Sequence, residues 1–542
     1  MITLSEKEAA RYRELNHIGN SMTNEQHEEY VELWMKMNEK PAVITPTPPS
    51  VQPKETVKDD DDKKKSYIRK ETVIKMIRVI VAHLFKDQYG VGYVTLENEP
   101  ARVVRIESSE FSRFVKAHVY ATSNYVPPDE TVKAVQDVLT VEADGSPRRN
   151  LHNRIARIDG VIYYDLNNDR NEMVVVSPYG WRVEPQMEPI FVRHGHMLPQ
   201  ITPIRGGKLQ DFAPLLNLKP GDDAVYLPHI ATGFVPDIPR MIKVHGGGQG
   251  GAKTSRAEKE ASLIDPSSIQ TQSSKDDRDE IALSLYKHYA PVLDNVSNID
   301  DELSDMLCRA VSGEGFEKRK LYEDEDQITW GFKRYIQITT IQGVAGKPDL
   351  VDRSLSYDSP VIVDARRLTE REVNRRFNDL KPRLLGAIFD ALSYAIRNYD
   401  GVAAELQGRL PRMADFTIWG EAIARGLGYA PMEFFDRLTE KLQTRSLDMI
   451  LADPVGEYIY SRTHTLAIDN RVSAVFQEFE QWATKVANLS LNNRRLPKTA
   501  QHFSARIRAL SGTFGTLGRE VEIVHKEDAA WLHVTPTGGR KS

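Results

Sequence analysis

The sequence predicts a multidomain protein in which an α/β core follows an α+β region and precedes a helical region and a winged helix. Three observations predict this arrangement. A glycine-rich stretch at 246–255 lies between an apolar run and a polar, helix-favouring segment. Apolar residues recur at helical spacing over 384–396. A helix-like segment followed by a hairpin pattern lies near the carboxyl terminus, over 498–534.

The composition is that of an ordinary globular protein. The chain has 542 residues, of which 40% are hydrophobic and 27% are charged, and this length allows three or four domains of ~150 residues. A net charge of −5 excludes a globally basic nucleic-acid binder but not local basic patches. The single cysteine, Cys308, excludes an intrachain disulfide and predicts a reducing, cytoplasmic setting. No apolar run approaches the ~20 residues of a membrane span, so no membrane contact is expected.

Composition shifts and turn signals divide the chain into five segments. These are a helical arm and flexible linker (1–65), an α+β collar domain (66–230), the α/β core (231–365), a helical domain (366–465), and a winged helix with a tail (466–542). In the second segment, residues 73–85 have helical spacing, whereas 160–165 and 172–177 have the apolar pattern of strands.

The glycine-rich stretch predicts a phosphate-binding loop. Glycines let backbone N–H groups turn toward phosphate oxygens, and the following helix N-terminus adds partial positive charge. Lys253 would reach the outer phosphates of ATP, and the Thr254 hydroxyl would ligate Mg²⁺. Ala252 stands where the usual pattern has its last glycine. The alternative is a flexible linker that happens to end in Lys-Thr. The predicted ATP-binding residues are Gly247, Gly248, Gln249, Gly250, Gly251, Ala252, Lys253, Thr254 and Ser255.

A metal-anchoring acid is expected after the next buried strand. The apolar run 290–293 ends in Asp294, whose carboxylate would hold Mg²⁺ and its hydration shell. Strand ends often carry Asp, so the indication comes from its pairing with the loop. The next residue, Asn295, can orient water but cannot take a proton. The base is then Asp294 itself or a residue elsewhere.

Two further catalytic candidates follow. Thr339, with Thr340 close behind, lies at the tip of a predicted strand over 335–340 and would sense the γ-phosphate or orient the attacking water. Alternatively, both are ordinary β-favouring threonines. Arg353 suits an arginine finger that reaches a neighbouring subunit's nucleotide, and the alternative is a surface ion pair with Asp349 or Asp352.

The motifs resemble those of P-loop ATPases and helicases encoded by phages, plasmids and integrative elements, which are similar to superfamily 3 and poxvirus-type primase-helicases of the AAA+ class. The resemblance covers about 160–435 and is strongest over 233–353. Besides the glycine loop, it is carried by segments 233–239, 263–267, 293–297 and 307–322, which read GFVPDIP, LIDPS, LDNVS and LCRAVSGEGFEKRKLY.

The resemblance implies an AAA+-like core that hydrolyses ATP with Mg²⁺ and assembles as a homo-hexameric ring around DNA. It matches Lys253 and Thr254 to the phosphate loop, Asp294 to the metal site, Thr339 to the sensor and Arg353 to the finger. Some members carry a fused primase. The roughly 230 residues before this core contain no convincing paired-carboxylate polymerase motif, so a separate primase or polymerase is the expected partner.

Two regions are candidates for binding DNA. Ring helicases of this type have a pore-facing hairpin or loop where this chain has Lys318, Arg319 and Lys320, and these cations would track the phosphates of a single strand. The alternatives are a solvated basic turn or an Arg that reaches the adjacent nucleotide. In the winged helix, the helix would enter the major groove of a duplex. Its candidate DNA-binding residues are Arg494, Arg495, Lys498, Arg506 and Arg508.

The predicted wing is acidic, which favours an alternative in which the winged helix binds a protein instead of DNA. Its acidic residues are Glu520, Glu522, Glu527 and Asp528. His194 and His196 have no third ligand at convincing spacing and are interpreted as ordinary surface histidines, without a metal.

The resulting hypothesis is an ATP-dependent DNA helicase or translocase of a mobile element. The alternatives are a non-translocating ATP-dependent switch or loader that acts through the winged helix, and a scaffold that has lost ATP binding.

Overall fold

The computed structural model describes ten stretches of the chain. They are 68–188, 190–273, 277–297, 299–319, 327–341, 348–363, 367–463, 467–487, 496–526 and 529–536. The predicted arm and linker, residues 1–65, lie outside them. Among the described helices, none combines the length and apolar character that crossing a bilayer requires.

The first module is a three-stranded antiparallel sheet with three helices. In chain order it comprises α1 (Lys70–Ile80), β1 (Val81–Lys86), β2 (Gly92–Leu96), β3 (Glu99–Arg105), α2 (Ser109–Ser123) and α3 (Asp129–Asp144). The predicted helix over 73–85 is wrong beyond Ile80, because residues 81–86 pair with β2 instead. The β-branched run Val79, Ile80 and Val81 favours this change to extended backbone.

A four-stranded antiparallel meander follows. It comprises β4 (Ile155–Ile158), β5 (Val161–Asp165), β6 (Glu172–Ser177) and β7 (Gly180–Pro185). The two strands predicted in this region are thus confirmed. Ile162, Tyr164 and Val174 on its apolar face belong to the same buried cluster as Phe389 of the later helical region. Trp181 on β7 donates from Nε1 to Oδ1 of Asp390 at 2.8 Å.

The α/β core is built on a five-stranded parallel sheet, which confirms the predicted mixed α/β fold at that level. Its elements are the 3₁₀ turn Leu209–Phe212, α4 (Ala213–Leu216), α5 (Asp223–Thr232), β8 (Ile242–Gly246), α6 (Lys253–Ile264), β9 (Thr271–Ser273), α7 (Arg278–Lys287), β10 (Val292–Asp294), α8 (Asp301–Ser312), β11 (Phe316–Arg319), β12 (Gln327–Trp330), β13 (Gln337–Thr339), α9 (Pro348–Asp352) and β14 (Ser354–Asp358).

The strand order of this sheet is β14-β8-β13-β10-β9, and every pair is parallel. The carboxyl ends of all five strands therefore lie along one edge. Strands β11 and β12 form a separate antiparallel hairpin. In open parallel sheets, ligands bind outside the carboxyl ends of the strands, at the point where the strand order reverses. Here the chain runs from β8 to the far edge at β9, returns through β10 and β13, and adds β14 on the other side of β8, so the order reverses at β8.

The helical region matches its prediction. It contains α10 (Glu370–Leu406), α11 (Ala414–Gly426), α12 (Glu433–Ala452) and α13 (Pro454–Arg462). The apolar face predicted for α10 is buried: Leu384, Leu385, Ile388, Phe389 and Leu392 are at most 1% exposed. Gly420 allows α11 to approach α12, because a Cβ there would lie 2.2 Å from the Phe434 ring.

The carboxyl-terminal region contains β15 (Ile468–Arg471), α14 (Val472–Lys485), α15 (Ala500–Thr516), β16 (Arg519–Lys526) and β17 (Ala529–Pro536). The predicted hairpin is confirmed, and in it Val521 pairs with Val534 and Val524 with Trp531. The third strand, β15, was not predicted, and it pairs with β17. Thr499 caps α15 by accepting from the backbone N–H of His502.

A buried ion pair joins the two elements that flank the glycine-rich loop. Lys243 on β8 donates to Oε1 of Glu260 on α6 at 2.6 Å, and both side chains are 0% exposed. Tyr226 and Tyr335 donate their hydroxyls to the same carboxylate. The Lys243 ammonium also lies 4.0 Å from the centre of the Tyr226 ring. Every oxygen of this buried carboxylate thus has a donor, as burial of a charge requires.

Replacing Glu260 should strongly destabilise the protein. The change Glu260→Ala leaves the buried Lys243 charge and two buried hydroxyls without their acceptor, so we expect a loss of about 3 to 5 kcal/mol of unfolding free energy, measured by urea denaturation. Glu440→Ala is the matched control, because Glu440 pairs with Arg437 on the surface of α12, and its urea midpoint should equal that of the wild type. Equal midpoints for both variants would contradict this role.

Candidate functional site

The glycine-rich loop passes from Gly246, at the end of β8, to Lys253, at the start of α6. Gly247 has φ 115° and Gly250 has φ 79°, which favour glycine. A Cβ on Gly247 would lie 2.6 Å from the carbonyl oxygen of Ser359, and one on Gly251 would lie 2.8 Å from Ser359 Cβ. Close packing against the segment after β14 therefore requires glycine at these two positions.

Ala252 immediately precedes α6 and has φ 58° and ψ 30°, a left-handed conformation. For a residue with a Cβ this conformation costs about 1 to 2 kcal/mol. Ala252 therefore adopts the backbone conformation that a glycine would adopt at this position, but at the cost of strain. Within the described chain, the exposed N–H groups of Gly248, Gln249 and Gly250 donate to no protein acceptor. Exposed N–H groups beside a helix N-terminus are the donors that an anion binds.

Lys253 bridges the loop. Its ammonium donates to the carbonyl oxygens of Gly247 at 2.8 Å and Gly248 at 2.7 Å. Desolvation, and then the nearby Arg256, lower the pKa of Lys253. The lysine therefore holds the loop closed over itself, and an incoming anion would offer it a better partner than two neutral carbonyls.

Asp294 lies at the carboxyl end of β10, and one of its carboxylate oxygens accepts hydrogen bonds from two threonine hydroxyls. Its Oδ1 accepts from Thr254 Oγ1 at 2.8 Å and from Thr339 Oγ1 at 2.6 Å. The backbone N–H of Asn295, which has φ 52°, donates to Thr339 Oγ1 at 2.8 Å. Strands β10 and β13 are parallel neighbours, with Leu293 opposite Ile338. This register places Asp294 beside Thr339, so the structure brings together four of the predicted site residues.

A buried polar layer beneath the loop was missed by sequence reasoning. Arg256, 2% exposed, donates from Nε to Nδ1 of His245 at 2.9 Å and from Nη2 to the Tyr357 carbonyl at 2.8 Å. Because His245 accepts at Nδ1, its proton lies on Nε2 and is donated to Gln337 Oε1 at 2.8 Å. Asn217 donates to the Gly251 carbonyl at 3.1 Å. Polar His245 and Gln337 on two buried strands were the signal that could have revealed this layer.

Arg353 lies away from the glycine-rich loop of the same chain. It immediately precedes β14, at the sheet edge opposite to Asp294. Its Nε donates to Asp349 Oδ2 at 3.0 Å, and Arg412 binds the same carboxylate at 2.5 Å. The ion pair foreseen as the alternative for Arg353 therefore forms within the chain.

The predicted DNA-binding residues are only partly described. Lys318 and Arg319 belong to strand β11, whereas Lys320, Arg494 and Arg495 lie outside the described residues. Lys498 precedes α15. Arg506 pairs with the carboxylate of Asp453, and Arg508 is exposed on the same helix.

The interpretation of His194 and His196 as surface histidines is wrong. Both are partly buried, and the ring of His196 stacks on His288 at 3.8 Å and on His194 at 5.8 Å. Desolvation, followed by His196 and Lys287, lowers the pKa of His194 to about 3; desolvation and His196 lower that of His288 to about 4. The packing of neighbouring segments around residues 194–196, which the sequence does not reveal, buries them.

Cys308 is a buried residue of α8. Burial raises its pKa to about 12, and the neighbouring Asp349 carboxylate reinforces the shift. A thiol held in its protonated form is a poor nucleophile.

The fold and site define a mixed α/β protein whose parallel sheet presents a glycine-rich loop, a lysine and a carboxylate along one edge. Residues 217–432 match the family model of the actinomycete integrative conjugative element replication protein. The predicted resemblance to replication proteins of mobile elements is thus confirmed over this part of the chain. No curated protein matches the sequence.

Solved structures that the chain matches include the apo A form of the NrS-1 C-terminal region. It has a TM-score of 0.39 and 11% identity, and the match covers 86% of this chain and 98% of that one. The X-ray structure of JCV helicase has a TM-score of 0.23 and 14% identity, with 45% of this chain and 63% of that one covered.

The histidine stack should make stability depend on pH. The pKa values of His194 and His288 are lowered in the folded protein, so the unfolded chain binds more protons below its histidine pKa of ~6.5. Stability therefore reaches its full value above pH 6.5 and falls toward pH 4, and each such histidine contributes up to about 1.4 kcal/mol per pH unit. Urea midpoints measured from pH 4.5 to 7.5 should show this fall, and His288→Gln should make it shallower by the share of one histidine, because the buried His229 and His245, whose pKa values are also lowered, keep theirs. An unchanged slope in the variant would contradict the assignment.

Proposed function

We propose that the protein is an ATP-dependent DNA helicase or translocase that serves replication of a mobile element. The observation that carries this proposal is the Asp294 carboxylate, which holds Thr254 and Thr339 at hydrogen-bond distance beside the loop of Lys253. The family match over 217–432 supports the replication context. On this reading the core is an AAA+-like P-loop ATPase, residues 66–230 are its collar, and residues 466–542 are a winged helix.

The residues present fit ATP and Mg²⁺. The exposed loop residues around Gly250 would bind phosphate oxygens through their backbone amides. Thr254 and Asp294 would hold Mg²⁺, which neutralises phosphate charge when it is bound. The Lys253 ammonium would exchange its two carbonyl acceptors for the outer phosphates.

The remaining polar groups would orient the attacking water. The Thr339 hydroxyl already accepts from the Asn295 amide and donates to Asp294. Its position is therefore fixed before nucleotide binds, which reduces the cost of ordering it during reaction. Asn295 supplies a side-chain amide that can hold water but cannot accept its proton.

A ring of subunits would bring Arg353 to the site. Because Arg353 lies at the amino edge of the sheet, it would serve a neighbouring subunit's nucleotide, as a finger supplied in trans does. Assembly would then have to replace the Asp349 contact that holds its guanidinium. A homo-hexamer is the assembly that we propose.

Two surfaces would contact DNA. The hairpin of β11 and β12 carries Lys318 and Arg319 and would line the pore, following the phosphates of one strand. Helix α15, with the β16–β17 hairpin as its wing, would approach a duplex through Lys498 and Arg508. A separate primase or polymerase would complete the replication machinery.

Steady-state ATP hydrolysis with and without single-stranded DNA tests this function. We expect DNA to stimulate hydrolysis by the wild type, and Lys253→Ala to reduce it by about 100-fold, as loss of one preorganised donor does. Lys259→Ala is the matched control, since Lys259 lies further along α6. Hydrolysis that is indifferent to DNA would favour an ATP-dependent switch, and no hydrolysis by a protein concentrated enough to form rings would favour a scaffold.

A further inference from the structure

A cavity of about 350 Å³ lies between the first module and the base of the β11–β12 hairpin. Its walls come from the turn between β1 and β2, the segment before β4, the end of α7, and the residues that flank the hairpin. Exposed Asn150 and Gly331 lie on its wall, so it opens to solvent. None of the catalytic residues proposed above lines it.

One wall of the cavity is aromatic. The rings of Tyr89 and Tyr286, both partly exposed, lie 6.2 Å apart at 68°, and Tyr286 lies 6.4 Å from Phe332. Aromatic rings that reach a solvent-accessible cavity offer flat apolar faces on which any nucleic-acid base can stack.

The cavity lining also carries positive charge. Arg157, Lys333 and Arg334 line the cavity, against two carboxylates, Asp87 and Asp237. Arg157 pairs with the Asp237 carboxylate at 3.0 Å, and Lys333 donates to the backbone carbonyl of the same residue at 2.5 Å. The Asp237 carboxylate therefore acts on both cations. Three cations against two carboxylates leave one net positive charge on this lining, which favours an anionic occupant.

Arg334 reinforces this positive field from within the wall. Its guanidinium donates to the carbonyl oxygens of Leu285 at 2.6 Å and Tyr286 at 2.8 Å, and it forms no salt bridge among the described residues. Burial lowers its pKa to about 10. Behind Tyr289, the fully buried Arg240 leaves Nε and Nη1 without a partner in the described part of the chain. Buried guanidinium groups without carboxylates are stabilised when an anion approaches.

The cavity is physically joined to the hairpin. The Tyr89 hydroxyl donates to the carbonyl of Gly331 at 2.7 Å, one residue after β12 ends. Gly313, which ends α8 just before β11, also lines the cavity. A strand of DNA that follows the hairpin would therefore pass the mouth of this cavity.

We propose that the cavity binds a nucleotide unit of single-stranded DNA, with its base against Tyr89 and Tyr286 and its phosphate beside Lys333 and Arg334. This inference rests on the proposed DNA-dependent function and adds a binding site outside the hairpin. Stacking tolerates any base and the cations contact only phosphate, so the site would bind without sequence preference.

Fluorescence anisotropy of labelled dT20 with the full chain tests the site. Tyr89→Ala should weaken binding about 10-fold, since it removes one stacking face, whereas Tyr89→Phe keeps the ring and should bind as the wild type does. Tyr120→Ala is the matched control, because Tyr120 is 53% exposed on α2 of the same module. Lys333→Gln should weaken binding and lower the salt slope by about 0.7, as loss of one phosphate contact does.

Each outcome separates this site from the general function. If the wild type binds dT20 and Tyr89→Ala binds equally well, the cavity proposal is overturned and the DNA-dependent function stands. If the wild type binds no dT20 with or without ATP, both fail. If dTMP alone displaces dT20 at equal nucleotide concentration, the cavity is a site for free nucleotides and the proposal is overturned. Photocrosslinking of 5-iodo-deoxyuridine oligonucleotides to Tyr89 or Tyr286 would support it directly.

Discussion

Lys243 and Glu260 lie on the two elements that flank the glycine-rich loop, and neither side chain reaches solvent. Burying these charges is costly unless they meet each other and further donors. The hydroxyls of Tyr226 and Tyr335 supply those donors. The network therefore fixes helix α6 against strand β8 in one arrangement, which sets where the loop begins and where Lys253 emerges. Strain at Ala252 persists because this surrounding structure over-determines the loop.

The parallel sheet supplies the second constraint. Since β13 lies between β8 and β10, the residues at their carboxyl ends converge at one edge. Asp294 thereby reaches both Thr254 on the helix after β8 and Thr339 on β13. A carboxylate with two hydroxyl donors on one oxygen keeps the other oxygen available for a cation. The polar layer of Arg256, beneath the loop, holds β8, β13 and β14 in this register.

Local patterns predicted much of this architecture. The turn-and-helix signals around Lys253, the apolar face of α10 and the presence of the last hairpin follow from spacing alone, and each agrees with the structure. Features that depend on distant segments were not predictable in this way. Residues 81–86 became a strand through pairing with β2, and the buried stack at His194 arises from packing with His288, far away in sequence.

Magnesium-dependent nucleotide binding tests the central claim most directly. The claim is that Asp294 and Thr254 hold a metal while Lys253 holds phosphate. Calorimetric titration with a non-hydrolysable ATP analogue should show tighter binding by the wild type with Mg²⁺ than with EDTA. In Asp294→Asn this gain should vanish while metal-free binding persists, because the variant loses a metal-binding carboxylate and keeps the lysine. An equal magnesium gain in both proteins would contradict the assignment of Asp294.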